Sequence, residues 1–197
     1  MKIKKLLFAS ALLFSAYNAS AQTQVIAHRG FWKTEGSAQN SIAALLKADS
    51  IGCYGSEFDV WLAADDQLVV NHDPTFKGKR MENSPSTALT AIKLDNGESL
   101  PTLAKYLKAA QPLHTRLILE LKAHSTPLRE TKAIEKIVAL VKDMGLEERM
   151  EYITFSLHAT KEFIRLAPEG TPVYYLDGNL SPKELKELGC AGPDYHY

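Results

Sequence analysis

"VIAHRGFWKTEGSAQNSIAALLKADSIGCYGSEFDVWLAADDQLVVNHD", residues 25–73, sets two histidines, an arginine and a Glu-x-Asp pair at or just past the ends of short apolar runs. Within it, Ser56-Glu57-Phe58-Asp59-Val60 decides the fold. On a strand, residues two apart point to one face. Glu57 and Asp59 therefore project together, while Phe58 and Val60 turn toward the helices. Two carboxylates on one buried face repel unless a proton or a cation lies between them.

Short β-type runs alternate with helical patterns on either side of this segment. Val25-Ile26-Ala27 reads as a strand, Asn40 to Ile51 as a helix stopped by Gly52, Ser56 to Leu62 as a strand, and Gln67 to Asn71 as another after the Asp65-Asp66 turn. Leu103 to Ala110 is helical, Arg116 to Leu121 a strand, and Thr131 to Met144 a helix ending at Gly145. Tyr152 to Phe155, a helix near 159–166, Pro172 to Leu176, a helix from Ser181 to Leu188 and a last strand from Pro193 to Tyr197 complete the series. Strands alternating with helices predict an α/β fold with a mostly parallel sheet.

Open doubly wound sheets and closed barrels both satisfy that alternation. A dinucleotide-binding sheet concentrates its site on a glycine-rich first turn, and no G-x-G-x-x-G occurs. Here the polar residues end several successive strands: His28, Glu57 with Asp59, His72, and Glu120 with Lys122. That distribution predicts a TIM (β/α)8-type barrel with its site at the C-terminal ends of the strands. The length is short for one, since about 250 residues is typical. The expectation is thus a barrel incomplete at the C-terminus, with about seven βα units.

Leu119-Glu120-Leu121-Lys122 repeats the strand pattern, with Glu120 and Lys122 on one face. Three converging carboxylates, Glu57, Asp59 and Glu120, form an oxygen-rich set suited to a hard divalent ion such as Ca²⁺ or Mg²⁺. Arg29 carries a planar fork matched to phosphate oxygens. Gly30 would permit a tight turn or a close approach to a ligand. His28 and His72 can serve as an acid–base pair, because imidazole titrates near neutral pH. A hard cation, Arg29, Lys122 and two proton carriers suit cleavage of a phosphate ester better than acyl or glycosyl transfer.

Plainer roles compete for each residue. Glu57 could pair with Arg29 or Lys122, and Trp61 and Phe155 could line a pocket or fill a core. Lys33, Glu35, Asp65 and Asp66 read as solvated loop residues, and His114, His124 and His158 as surface or polar-edge residues.

The chain opens with Met1-Lys2-Ile3-Lys4-Lys5, an apolar run from Leu6 to Tyr17 and Ala19-Ser20-Ala21. This is the pattern of a cleavable signal peptide over residues 1–21, with a secreted or periplasmic destination and a domain over residues 22–197. The apolar run is too short for a stable membrane span. Without Lys2, Lys4 and Lys5, the 23 basic and 23 acidic side chains become 20 against 23. That balance leaves no basic patch for nucleic acid. Export would permit a disulfide, but Cys53 and Cys190 follow glycines in separate units and read as buried free thiols.

The order of motifs resembles the glycerophosphodiester phosphodiesterase family. His28-Arg29-Gly30, Gln39-Asn40-Ser41, Glu57-Phe58-Asp59, His72-Asp73, Glu120-Leu121-Lys122 and Thr154-Phe155-Ser156 carry the resemblance. It implies a TIM barrel that hydrolyses small-molecule glycerophosphodiesters to sn-glycerol 3-phosphate and an alcohol. Glu57, Asp59 and Glu120 then match metal ligands, with calcium or magnesium as the ion. His28 and His72 match the acid–base pair, and Arg29 and Lys122 the phosphate-contacting positions. Two departures stand out. Gln39 replaces the family's usual glutamate before Asn40, and the family's C-terminal strand, helix and tryptophan-bearing segment are absent. These departures support one alternative, a catalytically weak phosphodiester- or phosphoglycan-binding protein on the same scaffold. Head-group alcohol and oligomeric state have no signature in the sequence.

Overall fold

A computed structural model of the chain describes residues 23–194. The signal-peptide segment, residues 1–21, and the final residues 195–197 of the expected last strand lie outside the described residues. The sheet is built around β2 (Gly55–Leu62), an eight-residue strand buried along its whole length. β6 (Arg116–Leu121) runs parallel to it in a register that sets Asp59 beside Glu120 and Phe58 beside Leu119. β7 (Met150–Thr154) and β8 (Val173–Tyr175) continue the parallel series beyond β6. On the other side of β2, β1 (Ile26–Ala27) pairs in parallel with Gly55 and Ser56. The strand order is β1-β2-β6-β7-β8.

One strand departs from the barrel pattern. The expected strand over Gln67–Asn71 contracts to β3 (Leu68–Val70), which runs antiparallel to Val60–Leu62 instead of forming its own βα unit. It lies on the same side of β2 as β1, along the C-terminal stretch that β1 leaves unpaired. The five-residue connection, residues 63–67, is long enough only for a hairpin, since a parallel return needs a crossover.

Helices cover the outer face of the sheet. α1 (Ile42–Ser50), α3 (Leu103–Ala110), α4 (Pro127–Asp143), α5 (Leu157–Leu166) and α6 (Pro182–Leu188) are each N-capped by a serine or threonine hydroxyl, from Ser41, Thr102, Thr126, Ser156 and Ser181. Such caps satisfy amide donors that a helix start leaves open. Phe58, Val60 and Leu62 of β2 join Leu117, Leu119 and Leu121 of β6 and Tyr152 of β7 in the core beneath the helices. Phe58 meets Tyr106 of α3 with ring centroids 4.5 Å apart, and Tyr152 stacks on Phe163 of α5 at 4.3 Å. The alternate residues Glu57, Asp59, Ile118 and Glu120 are left for the inner face.

Residues 72–102 make an excursion that sequence periodicity did not resolve. It contains a two-stranded hairpin, β4 (Thr75–Phe76) with β5 (Lys79–Arg80), and α2 (Ser86–Thr90). The hairpin turns through Lys77 and Gly78, both with positive φ. That is the primed turn geometry usually announced by Asn-Gly or Asp-Gly, and Lys-Gly hides it. Trp61, Val69, Met81, Leu89, Ile92, Leu94 and Leu100 form a second apolar cluster here. Cys53 and Cys190 are free, as expected, but half-buried. Among the described residues no helix is long and apolar enough to cross a membrane.

Candidate active site

The parallel register of β2 and β6 brings the three expected carboxylates together. Glu57, Asp59 and Glu120 are 4%, 0% and 6% exposed. One oxygen from each lies within 4.8 Å of the others. Asp59 is fixed from both sides. Its Oδ2 accepts from Asn40 Nδ2 at 2.8 Å, while its backbone N–H donates to Asn40 Oδ1 at 3.1 Å. Lys122 Nζ donates to Asp59 Oδ1 at 3.2 Å and to Glu120 Oε1 at 2.7 Å. Glu57 is held differently from the salt bridge considered for it. Neither Arg29's guanidinium nor Lys122 bonds it; the Arg29 backbone N–H donates to Oε2 at 2.7 Å. Its other oxygen, Oε1, is buried with no hydrogen-bond partner.

The loop after β1 is bent to make this possible. Arg29 and Asn40 both have φ of 59°, uncommon for residues with side chains. Gly30 has φ 74°, and a Cβ there would sit 2.7 Å from the Ala44 Cβ of α1. The glycine thus permits the tight turn and the close approach of the loop to α1. Arg29 Nη1 donates to Gln39 Oε1 at 2.6 Å, so the amide that replaces a carboxylate still holds the guanidinium. Arg29 Nε lies 3.9 Å from Asp59 Oδ2.

His28 borders the carboxylates directly, and His72 stands close enough for its charge to act on Glu120. His28 Nε2 is 3.8 Å from Glu57 Oε2, with a side chain 69% exposed. His72 Nδ1 bonds Asp73 Oδ1 at 2.7 Å, and the Trp61 indole N–H donates to the His72 carbonyl at 3.3 Å. A cavity of about 290 Å³ opens beside His72, lined also by Trp32, Gln39, Asn40, Asp73 and Phe76 among others. Trp61 packs in the second apolar cluster, so of its two expected roles the core one prevails.

Burial, and then the charges of Asp59 and Glu120, push the Glu57 carboxyl well above its usual range. Burial raises Glu120 as well. Desolvation works against the Lys122 ammonium, but Asp59 and Glu120 outweigh it and lift its pKa. His28 is lowered by burial and by the Arg29 guanidinium. Three carboxylates against Arg29 and Lys122 leave one formal negative charge when all are ionised. Such a site repels a phosphodiester anion unless further positive charge enters.

Several residues have partners that sequence reasoning did not supply. Asp65 caps α2 through the Ser86 N–H and hydroxyl, and Asp66 pairs with Arg129 and Lys132, so neither is a free loop residue. His124, expected at a surface or polar edge, is half-buried with both ring nitrogens bonded. Asn71 was missed; its side chain donates to the Asp73 carbonyl at 2.7 Å and its N–H to the Asp59 carbonyl at 3.0 Å. His196 lies outside the described residues.

No family model matches the chain. A curated glycerophosphodiester phosphodiesterase from Caldanaerobacter subterraneus subsp. tengcongensis is 30% identical over 161 residues, which are 75% of this chain and 64% of that protein. The chain therefore spans just under two thirds of the length of that relative. The crystal structure of a glycerophosphodiester phosphodiesterase from Parabacteroides distasonis is 56% identical, with a TM-score of 0.86 over 88% of this chain and 73% of its own. A phosphodiesterase from Oleispira antarctica, solved in complex with the product sn-glycerol-3-phosphate, is 26% identical, with a TM-score of 0.75 over 88% of this chain and 75% of its own. These likenesses agree with the TIM-barrel fold expected from the strand-end polar residues.

Proposed function

The chain belongs to the glycerophosphodiester phosphodiesterase family, and from that membership we propose that it hydrolyses glycerophosphodiesters to sn-glycerol 3-phosphate and an alcohol. The observation that carries the proposal is the buried carboxylate trio with His28, His72, Arg29 and Lys122 at its border. Support for the product comes from the Oleispira antarctica phosphodiesterase, which was solved with sn-glycerol-3-phosphate.

The trio suits a divalent cation. Glu57 Oε1 is a buried oxygen without a partner, and the donors are all oxygens, which favours Ca²⁺ or Mg²⁺ over softer metals. Glu57, Asp59 and Glu120 would hold the ion. It would supply positive charge against a phosphate oxygen and turn the formal charge of the site from −1 to +1. Arg29 offers guanidinium donors to phosphate oxygens while Gln39 fixes its orientation. Lys122 bridges Asp59 and Glu120 and adds a second fixed cation. One of His28 and His72 takes a proton from the nucleophile, and the other gives one to the leaving alkoxide. Because a carboxylate only accepts, Asp73 fixes the proton of neutral His72 on Nδ1 and leaves Nε2 for transfer.

The Arg29–Gln39 bond weakens one of the two supports for a binding-only protein, because the amide substitution leaves the arginine anchored. Export guided by residues 1–21 belongs to the same proposal. Glycerol 3-phosphate release from a panel of glycerophosphodiesters, with EDTA and with Ca²⁺ or Mg²⁺ restored, tests the proposal. Release that EDTA stops and a cation restores is expected. Failure to turn over any diester in either cation would overturn the activity, and undiminished release in EDTA would overturn the metal requirement.

A further inference from the structure

The ladder between β2 and β6 stops abruptly at the mouth of the site. Its last rung runs from the Lys122 N–H to the Val60 carbonyl at 3.1 Å. In a parallel ladder the next two rungs would join the Leu62 N–H to the Lys122 carbonyl and the His124 N–H to the Leu62 carbonyl. Side chains take all four groups instead. The Leu62 N–H donates to His124 Nε2 at 2.9 Å, and His124 Nδ1 donates to the Lys122 carbonyl at 2.6 Å. The His124 N–H goes to Glu130 Oε1 at 3.1 Å, and Arg129 Nη2 donates to the Leu62 carbonyl at 2.9 Å.

We propose that His124 is a positioning residue for the reaction, its neutral imidazole standing between β2 and β6 as a spacer that sets the Lys122 backbone and so aims the ammonium at Asp59 and Glu120. The proposal rests on the activity given above for Lys122's role, but its structural half stands independently. A carbonyl can only accept and an amide N–H can only donate. The two bonds therefore require a proton on Nδ1 and none on Nε2, a single tautomer of the uncharged ring. Glu82, Glu130, Arg129 and Lys122 are the charged groups acting on the ring or bonded beside it, and burial outweighs the two glutamates in keeping it neutral. The indole of Trp61 packs against it with centroids 5.3 Å apart and donates to the His72 carbonyl. The two rings, tilted 56° to each other, thus tie the backbone of Lys122 to that of His72. Removing the ring would orphan one backbone donor, the Leu62 N–H, and one acceptor, the Lys122 carbonyl, where the two strands end, which separates this residue from one that merely fills space.

The decisive comparison is between His124→Gln and His124→Phe. A glutamine amide carries an acceptor and a donor at nearly the spacing of the imidazole nitrogens, whereas phenylalanine matches the ring's bulk with neither. Displacement of a catalytic group by a change outside the chemistry lowers rates by up to about 10²-fold. We expect His124→Phe to lose about 10- to 100-fold in kcat, and His124→Gln to recover to within about threefold of the native enzyme. Equal turnover in the two variants would reduce His124 to packing and overturn the proposal. Should both variants unfold, or should no diester be turned over, ¹⁵N-edited NMR of the native chain decides. An Nδ1-protonated, uncharged His124 at pH 7 is required, and an Nε2-protonated or charged ring overturns the proposal whatever the enzyme's activity.

Discussion

Replacing Glu57 by glutamine should make the cation-free protein more stable while abolishing its response to cations. The side chain is 4% exposed, with Oε2 bonded to the Arg29 N–H and Oε1 unpartnered. An isosteric amide keeps the first bond through its oxygen. Its NH₂ takes the place of Oε1 in a cluster where one oxygen each of Glu57, Asp59 and Glu120 lie within 4.8 Å of one another, so a small adjustment gives it an acceptor. An unsatisfied buried polar atom costs about 1–3 kcal/mol, and the change also removes a like-charge repulsion. For a domain of this size each 1 kcal/mol moves Tm by about 2–4 °C, so a rise of roughly 2–12 °C in EDTA is expected. In the native protein, free Ca²⁺ or Mg²⁺ at a hundred times its Kd should add about 2.7 kcal/mol. In Glu57→Gln that increment should vanish, because a neutral amide replaces a charged ligand. Thermal melts of both proteins in EDTA and across a cation series give the four numbers required. A lower EDTA melting point in Glu57→Gln, or an intact cation response, would refute the reasoning.

Other outcomes follow from the same geometry. His28→Ala or His72→Ala should each lower turnover about 10²–10⁴-fold while cation-induced stabilisation persists, since neither is counted among the ligands; melts alongside initial rates check both. Gly30→Ala places a Cβ 2.7 Å from Ala44 at a positive φ and should cost about 1–3 kcal/mol, read by denaturant unfolding. Without cations, the raised pKa of Glu57 means the fold binds more protons than the unfolded chain once pH exceeds the ordinary glutamate value of 4.5. Its contribution is thus present below pH 4.5 and lost as pH rises toward the folded pKa. A bound cation favours the carboxylate and should oppose that loss, so the melting-point gain on adding Ca²⁺ should grow with pH from 4.5 upward.

Where local chemistry and tertiary role coincided, the sequence was easy to read. Glu57-Phe58-Asp59 and Glu120-Leu121-Lys122 announce their strands because alternation separates a charged face from an apolar one, and the structure preserves that separation on β2 and β6. The helix over Leu103–Ala110 and the strand over Arg116–Leu121 fall where periodicity put them. Strand direction was a different matter. Leu68-Val69-Val70 has the same apolar pattern whichever way it pairs, and only the short connection to β2 makes it antiparallel. The partner of Glu57 could not be found by matching charges, because a backbone N–H fills that role. His124 looked unremarkable for a related reason. Its significance lies in two backbone groups on different strands, and no spacing of side chains encodes those. Gln39 showed the reverse: a substitution that seemed to loosen Arg29 keeps it bonded at 2.6 Å.

The claim on which the rest depends is that Glu57, Asp59 and Glu120 share one hard ion. Crystals soaked in Mn²⁺, an oxygen-seeking stand-in for Mg²⁺ with a usable anomalous signal, address it directly. The account predicts one anomalous peak about 2.0–2.6 Å from an oxygen of each of the three residues. A fully occupied ion elsewhere on the protein, with these three carboxylates left uncoordinated, would contradict it.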